Sequence, residues 1–288
     1  MTDRPSGALV LVGTPIGNLG DLSPRAVDAL RTADVIAAED TRRTRALMSH
    51  AGIPSGGRLR AVHARNEAAA ADRVVEEVRG GARVAVVTDA GMPGVSDPGN
   101  LLVRACLDAG LPVEAVPGPS AALTALVLSG LPAARFVFEG FLPRKGRARA
   151  EHIEAIAGES RTTVLFEAPT RVRTTLADLT AACGAQRPVA VARELTKAFE
   201  EVWRGTLAAA ARHVEQAEPR GEYAIVIGPA PERAPAGDAE IEAAVRAALA
   251  DGRTARDAAS DVANALGVAR RRAYEAATRL KGSRRRGG

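Results

Sequence analysis

Cysteine and long apolar stretches are both scarce in this sequence. The 288 residues include only two cysteines, Cys106 and Cys183, which lie far apart in the chain. Their number and spacing do not suggest a disulfide framework or a metal site, so we expect both thiols in the core. No uninterrupted apolar run approaches the roughly 20 residues that span a bilayer, and residues 1–7 lack the pattern of a secretory signal. These absences predict a cytoplasmic protein without a membrane segment.

Lysine is also rare, with three residues among 39 basic ones. The formal net charge is +5, and residues 239–288 account for all of it, with 11 Lys and Arg against 6 Asp and Glu. Residues 1–238 are neutral, at 28 against 28. A basic end of this kind favours contact with a polyanion such as nucleic acid, and a merely solvated face is the alternative.

The chain is organised around residues 84–99, which read VAVVTDAGMPGVSDPG. The run 84–88 is apolar, β-branched and too short for a helix, which predicts a strand covered on both faces. In an open α/β sheet, ligands bind outside the carboxyl ends of the strands. The loop 89–97 is therefore a predicted ligand site, in which Asp89 and Asp97 offer hydrogen-bond acceptors. An ordinary tight turn is the alternative.

The first predicted strand, residues 8–12, also ends in a glycine-rich loop. Residues 13–21 read GTPIGNLGD, which is not the GxGxxG order, and the next helix begins only at Ser23 and Pro24. The geometry that places a pyrophosphate on a helix N-terminus is therefore missing. Glu39, near the end of the second strand, is the one feature that favours a Rossmann dehydrogenase.

Charged residues follow the second predicted strand, where Glu39, Asp40 and Arg42 stand together. If the sheet is parallel, this end shares a rim with the loop 89–97, and the acids would shape a substrate pocket. The alternative is local, because Asp40 or Thr41 would also cap the helix that follows.

A further strand, predicted over 113–116, leads into a second loop of small residues. Residues 117–122 read PGPSAA and open a helix predicted over 120–129. The serine and the backbone amides of this helix start would face the same crevice as Asp89. Two such loops on successive strands are harder to explain as turns than one.

The sequence divides into four parts. Residues 1–145 form one α/β series and residues 146–228 a second, while residues 229–238 have the composition of a linker. Residues 239–288 fit a small basic module of three helices with a helix-turn-helix-like outline. Its last helix starts at Arg270, Arg271 and Arg272, and we expect residues 284–286 to form a tail.

Eight motifs follow one another along residues 8–228. They are GTPIGNLGD at 13–21, AAEDTR at 37–42, HARNE at 63–67, DAGMPGVSDPG at 89–99, PGPSA at 117–121, EGFLPRK at 139–145, ARELTK at 192–197 and RGEYAIVI at 220–227. Together they resemble the ribosomal RNA small subunit methyltransferase I family, a branch of the tetrapyrrole methylase fold.

The resemblance implies a two-domain α/β tetrapyrrole methylase fold with S-adenosylmethionine in the cleft between the domains, and it implies a homodimer. Relatives that act on tetrapyrroles often have Gly-Asp-Pro where this chain has Asp89, Ala90 and Gly91. The positions that the resemblance assigns to the methyl donor are Pro15, Asp89, Ala90, Gly91, Val95, Ser120, Ala121, Phe166, Leu195 and Ala224.

The activity implied is 2'-O-methylation of a cytidine in 16S rRNA, with the rRNA or the small ribosomal subunit as partner. A ribose hydroxyl is a poor nucleophile, so a nearby group must accept its proton or stabilise the alkoxide. The candidates are Glu39, Asp40, Glu194 and Lys197, with Asp40 or Glu39 favoured as acceptor and Lys197 as an electrostatic aid. The expected RNA contacts are Arg42, Arg144, Lys145, Arg270, Arg271 and Arg272, and no metal is expected.

Two other functions remain open. One is methylation of a tetrapyrrole or another small molecule on the same fold, against which the basic last 50 residues and the EGFLPRK motif argue. The other is a catalytically silent RNA-binding or assembly protein, which would have no affinity for S-adenosylmethionine.

Overall fold

The chain folds as two compact units, residues 1–230 and residues 231–288. The computed structural model describes residues 7–216, 218–231 and 236–286. Four residues of the expected linker, 232–235, lie outside the described residues. None of the helices in these described stretches is long and apolar enough to cross a membrane.

The first unit begins with a five-stranded sheet in the order β3-β2-β4-β1-β5, and all its pairings are parallel. Helices alternate with the strands, as the sequence pattern predicts. The elements are β1 Ala8–Val12, α1 Pro24–Thr32, β2 Val35–Ala38, α2 Thr41–His50, β3 Leu59–Ala61, α3 Glu67–Arg79, β4 Arg83–Val87, α4 Asn100–Asp108 and β5 Val113–Val116.

β4 lies at the centre of this sheet and is buried on both faces. Ala85 and Val87 belong to one core, whereas Val84 and Val86 belong to the other, which also contains Cys106. The predicted strand covered on both faces is therefore confirmed, as is the core position of this cysteine.

The start of α1 follows from local sequence. Ser23 Oγ accepts a hydrogen bond from the backbone N of Ala26 at 3.1 Å. Pro24 occupies the first turn, where a missing N–H leaves no helical hydrogen bond unmade. This separates the helix start from the glycine-rich loop that precedes it.

A second five-stranded sheet has the order β6-β7-β10-β8-β9. β6 and β7 are parallel and the other pairings are antiparallel. The elements are α5 Ala121–Ser129, β6 Phe136–Phe141, α6 Arg147–Gly158, β7 Thr162–Glu167, α7 Val172–Cys183, β8 Pro188–Arg193, β9 Glu201–Thr206, α8 Leu207–Glu215 and β10 Tyr223–Ile227.

The chain passes from the first sheet to the second earlier than the boundary expected at residue 145. β6 pairs with β7 and so belongs to the second sheet. Helix α5 packs on this sheet as well, where Ala125 and Leu126 share a core with Val164 and Val226. The sequence pattern did not show this, because a buried helix or strand has the same apolar composition whichever sheet it contacts.

The described residues of the second unit form three helices around a small alanine-rich core. Ile241, Val245 and Val262 are its larger members. Thr254 caps the second helix through its hydroxyl, and Gly267 ends it in a left-handed conformation. The third helix continues through Arg286, where a tail was expected from residue 284. The helices are α9 Asp238–Ala250, α10 Ala255–Leu266 and α11 Arg270–Arg286.

Candidate active site

Within the first unit, loops from both sheets surround a cavity of about 440 Å³. The first sheet contributes the carboxyl ends of its parallel strands. The second contributes one edge, where β7 and β8 end and the antiparallel β10 begins. The sequence prediction that several strand ends share one crevice is confirmed.

Backbone hydrogen bonds fasten the two glycine-rich loops of the first sheet to each other. The N of Thr14 donates to the O of Gly91 at 2.9 Å, and the N of Gly91 donates to the O of Thr14 at 3.1 Å. Gly13 and Gly118 approach so closely that a Cβ on Gly118 would lie 2.7 Å from the Cα of Gly13. Three strand-end loops therefore meet with backbone against backbone, and a ligand can approach main-chain groups closely.

The second sheet supplies an apolar wall. Phe166 at the end of β7 contacts Phe138 edge-on, with ring centroids 5.0 Å apart, and Phe141 at 5.7 Å. Leu195 and Ala224 are buried in the same core. This wall and the backbone loops opposite it suit a flat, partly apolar ligand.

Carboxylates line the rim formed by β2 and β4. The N of Asp40 donates to Asp89 Oδ1, and the N of Asp89 donates to Glu39 Oε2, both at 3.2 Å. Arg43 forms an ion pair with Asp89 at 3.4 Å. Burial raises the pKa of the Asp89 carboxyl. The predicted neighbourhood of the EDTR and DAGMPG motifs is thus confirmed.

The Asp40 carboxylate binds to the start of its own helix, α2. It is the N-cap of α2, and its Oδ1 accepts from the N of Arg42 at 2.8 Å. The Arg42 guanidinium holds both carboxylate oxygens, with Nη2 2.7 Å from Oδ2. These side-chain hydrogen bonds keep the pKa of the Asp40 carboxyl well below its usual range. For Asp40 the structure supports the capping alternative left open by the sequence, whereas Glu39 lines the cavity.

Lys197 and Glu194 form a paired cluster on the opposite rim. Lys197 Nζ donates to Glu194 Oε1 at 2.9 Å and lies 3.5 Å from Glu222 Oε2. Burial opposes the charge of Lys197, but the hydrogen bond to Glu194 and the two carboxylate charges outweigh it and raise the pKa of Lys197. The same hydrogen bond lowers the pKa of Glu194. Both side chains are thus held in their charged forms.

The loop that carries this pair has a strained backbone. Glu194 and Thr196 have φ of 50° and 64°, values that residues other than glycine rarely adopt. Thr196 Oγ1 accepts from the N of Asn18 at 3.0 Å, so the loop contacts the glycine-rich loop after β1. Strain of this kind is typical of functional sites, where the surrounding structure maintains it.

Most of the predicted site residues lie together. Pro15 does not line the cavity, although its neighbour Ile16 does, and Asp40 does not line it either. Arg42, Arg144 and Lys145 are exposed and do not line the cavity. The arginine that does line it is Arg43. The predicted residues that line the cavity are Glu39, Asp89, Ala90, Gly91, Val95, Ser120, Ala121, Phe166, Glu194, Leu195, Lys197 and Ala224.

Several lining residues were not assigned to the site from the sequence. Glu222 was noted only as part of the RGEY motif, whereas Asp97 belongs to the predicted ligand loop 89–97 but was given no catalytic or cofactor role. Ala168 and Pro169 directly follow β7, so their place at a strand end was the available signal. Glu67 does not line the cavity, but its buried carboxylate accepts from the N of Gly99 and the N of Leu101, both at 2.8 Å.

The arginines predicted to bind RNA separate into two kinds. In the second unit, Arg270 and Arg271 lie with Arg256 around an open groove beside Tyr274, whose side chain is 51% exposed. Arg272 instead holds its own unit together, because Nη2 donates to Asp238 Oδ1 at 2.7 Å and to the O of Ala236.

The basic residues that follow β6 also separate into two kinds. Arg149, in the first turn of α6, is buried and pairs with Asp178 at 2.7 Å, whereas Arg144 and Lys145, in the loop before α6, face solvent. Arg144 and Lys145 are thus the exposed basic residues of the EGFLPRK motif, and their contact with RNA stays a prediction.

Comparison with known proteins identifies the family of the chain. Residues 8–211 match the family profile of Tetrapyrrole (Corrin/Porphyrin) Methylases. A Mycobacterium bovis protein named ribosomal RNA small subunit methyltransferase I is 46% identical over 284 residues, covering 98% of each chain. The Synechocystis protein of the same name is 43% identical, covering 96% of this chain and 99% of its own. The chain belongs to the ribosomal RNA small subunit methyltransferase I family. The resemblance drawn from the eight motifs is confirmed.

Solved structures of other tetrapyrrole methylases share the fold. The methyltransferase CobJ is 22% identical with a TM-score of 0.59, covering 81% of this chain and 97% of its own. Uroporphyrin-III C-methyltransferase from Thermus thermophilus, complexed with S-adenosylhomocysteine, is 21% identical with a TM-score of 0.55, covering 77% and 97%. The predicted fold class is confirmed.

Proposed function

We propose that this protein transfers a methyl group from S-adenosylmethionine to the 2'-hydroxyl of a cytidine in 16S rRNA, in the decoding region of the small ribosomal subunit. The observation that carries the proposal is near full-length similarity, at 46% identity, to a relative named for ribosomal RNA methylation. The fold neighbour complexed with S-adenosylhomocysteine supports the methyl donor.

The cavity fits this donor in size and chemistry. Its volume of about 440 Å³ falls in the range of roughly 300–1,000 Å³ for small-molecule sites. Phe166, Ile16 and Leu195 offer apolar surface to an adenine, and the amides at the start of α5 offer donors to a carboxylate. When bound, the donor supplies an electrophilic methyl on a sulfonium, whose positive charge suits a cavity lined with carboxylates.

The side chains around the cavity would act by positioning and by charge. Because methyl transfer is an in-line displacement, orientation of the two reactants supplies much of the acceleration. Glu39 orders the β4 loop through the N of Asp89. Lys197 places a positive charge at the opposite rim, where it would stabilise negative charge on the ribose oxygen.

The exposed arginines would hold the RNA. Arg144 and Lys145 in the first unit, and Arg270 and Arg271 in the second, are exposed and would contact phosphates, although Arg271 also forms an ion pair with Glu275 at 3.5 Å. Tyr274 beside the second pair offers an aromatic face on which an unpaired base can stack. Arg42 is exposed as well, although it is already paired with Asp40.

We further propose that the protein acts in the cytoplasm as a homodimer. Helix α5 exposes Leu123 by 51% and Val127 by 70%, an apolar strip that a second copy would cover. Light scattering of the purified protein should give twice the mass of 29.8 kDa calculated for one chain.

The experiment is to map methyl groups by mass spectrometry on 16S rRNA from cells with and without the gene. One cytidine should lose a methyl group without the gene, and its ribose should regain sensitivity to alkaline cleavage. The purified protein should restore the methyl group, with either naked 16S rRNA or isolated small subunits as acceptor. Methylation of a uroporphyrinogen instead of RNA would favour a tetrapyrrole methylase, and absence of S-adenosylmethionine binding would favour a silent assembly protein.

A further inference from the structure

The mouth of the cavity has an apolar lip. Among the described residues that line the cavity, the exposed ones are Arg43, Val95, Ser96, Phe141 and Glu222. Two of them are large and apolar, since Val95 is 64% exposed and Phe141 53%. Apolar surface that stays exposed beside a ligand cavity is typical of a binding site. These two side chains therefore mark a place where a reactant can meet the cavity from solvent.

A β-bulge at the end of β6 brings the two sides of this lip together. The register between β6 and β7 shifts between Phe138 and Gly140, and Gly140 has a φ of 61°. A Cβ on Gly140 would lie 3.6 Å from Ser96 Oγ, so the end of β6 runs directly beside the loop after β4. Bulges re-aim the side chains near them and are common next to active sites. Phe141 and Val95 are the chain neighbours of this contact and share one lip.

Two arginines fix the backbone directly after Phe141. Arg171 Nη1 donates to the O of Leu142 at 3.1 Å, and Arg149 Nη1 donates to the O of Pro143 at 3.2 Å. The side chain of Leu142 is itself buried in a core of the second sheet. The exposed ring is thus carried by a backbone that is held on both sides, so little conformational entropy is lost when a ligand binds to it.

Phe141 and Phe166 occupy different depths of the cavity. Phe166 belongs to the inner wall, with buried Ile16 and Leu195, whereas Phe141 lies at the mouth. The two ring centroids are 5.7 Å apart and the ring planes are tilted by 59°. A small-molecule site buries most of the surface of its ligand, so the methyl donor belongs against the inner wall. The outer ring is then left for the methyl acceptor, which enters from solvent.

We propose that the ring of Phe141 stacks on the base of the nucleotide whose ribose is methylated, an assignment that rests on the function proposed above. Proteins that read RNA sequence mostly bind single-stranded regions, where unstacked bases lie on aromatic side chains. A base on this ring places its ribose at the mouth of the cavity. Its phosphates then lie toward the exposed Arg144 and Lys145 of the loop that follows. Phe141 thus orients the 2'-hydroxyl toward the methyl group and takes no part in the displacement itself.

The direct test compares Phe141→Ala with Phe141→Tyr, which keeps an aromatic face. Alanine should lower kcat/KM for the RNA at least fivefold, the smallest usual loss when a base loses its stacking partner. Tyrosine should stay within about threefold of the wild type. The Kd for S-adenosylmethionine, from calorimetry, should change less than about threefold in both variants, because the inner wall is intact. The matched control is Leu107→Ala, which removes an exposed apolar side chain of α4 outside the cavity lining and should leave kcat/KM unchanged.

An acceptor without the target base isolates the stacking contact. In this acceptor, 16S rRNA or small subunits as the wild type requires, the target nucleotide keeps its ribose and 2'-hydroxyl but has an abasic carbon at the base position. Removal of the base should lower kcat/KM of the wild type at least fivefold more than that of Phe141→Ala, in which the contact is already missing. A general loss of structure would not produce this coupling between one side chain and one base.

Three results would overturn the assignment of Phe141. They are a loss below fivefold in Phe141→Ala, a Kd for S-adenosylmethionine that rises as much as kcat/KM falls, and equal losses of the wild type and the variant on the abasic acceptor. If Phe141→Ala lowers the melting temperature, Phe141→Leu takes its place, because leucine keeps apolar contact with Phe166 but has no ring. In all three cases the wild type still methylates RNA, so the function proposed above stands. If the wild type methylates no ribose of 16S rRNA, that function fails and this assignment fails with it.

Discussion

Asp40 and Asp97 show how two aspartates at strand-end loops acquire different surroundings. Asp40 lies at the start of a helix, where the N of Arg42 and the Arg42 guanidinium both donate to it. These bonds stabilise the charged carboxylate and make it a weak proton acceptor. Asp97 lies in a turn with no donor to its carboxylate among the described residues, and burial, followed by the charges of nearby acids, raises its pKa. The difference depends on the neighbouring donors, because the residue type is the same.

The first prediction concerns Asp40. Because its structural role is capping, Asp40→Ser should retain the cap and leave the melting temperature nearly unchanged, whereas Asp40→Ala should lower it by a few degrees. Both variants should keep the methylation rate within about tenfold of the wild type. The measurements are thermal unfolding by circular dichroism and single-turnover methylation.

A rate loss of 100-fold or more in both Asp40 variants would contradict this reading. It would restore the hypothesis, drawn from the sequence, that Asp40 accepts the proton. Asp40→Ser removes the carboxylate but not the cap, so it separates the two roles.

At the scale of elements, the site exists because strand-end loops meet at backbone distance. β1 and β5 are neighbours in the sheet, and the loops that follow them bring Gly13 and Gly118 together. The β4 loop joins them through the pair of hydrogen bonds between Thr14 and Gly91. Small residues are required here because a side chain would separate the loops that form one wall of the cavity.

The second prediction tests this contact with Gly118→Ala. A Cβ there would meet Gly13 at 2.7 Å, so backbone must shift, and overpacking of this kind costs about 1–3 kcal/mol. The unfolding free energy from urea titration should fall by that amount, and the Kd for S-adenosylmethionine should rise.

The control is Gly158→Ala, in the last turn of α6. A Cβ at Gly158 meets nothing within 4 Å, and alanine is the better helix former, so stability should be unchanged or slightly higher. If the two variants behave alike, the close approach of the loops is not what holds the wall together.

At the scale of the whole molecule, the charge distribution supports contact with a polyanion. All of the net charge of +5 comes from residues 239–288. The second unit has its own core, so its surface arginines are not needed to fold the first. Three of them, Arg256, Arg270 and Arg271, surround one groove with an exposed tyrosine. Phosphate contacts from such a surface release counterions, which makes binding strongly dependent on salt.

The third prediction is that changing Arg256, Arg270 and Arg271 together to Gln weakens RNA binding by about tenfold or more. The slope of log affinity against log salt should become shallower by about 2, because phosphate contacts are lost. Affinity for S-adenosylmethionine should not change. Filter binding of a 16S rRNA fragment at several salt concentrations provides the measurement.

A triple variant of Arg246, Arg253 and Arg279 to Gln is the matched control. It removes the same charge from the same unit but leaves the groove intact, since Arg253 and Arg279 pair with Asp261 and Glu242. Equal losses in the two triple variants would mean that total charge, and not this groove, determines RNA affinity.

The sequence by itself determined the features that depend on local chemistry. These features each depend on residues close together in the chain, so they can be read without a structure. They are the capping by Ser23, the apolar strand around Val84, the charge of the last 50 residues and the eight ordered motifs. The motifs led to the family resemblance, which implied the fold class and half of the residues that line the cavity.

The tertiary structure alone decided which of the carboxylates lining the cavity has no donor among the described residues, and which arginines face solvent. Glu67 supports the Asp97 loop from 32 residues away, and Arg149 reaches Asp178 across 29. Likewise β6 joined the second sheet although its sequence continues from the first domain. The physical reason is that hydrogen-bond partners and burial depend on residues distant in the chain, which only the folded packing brings together.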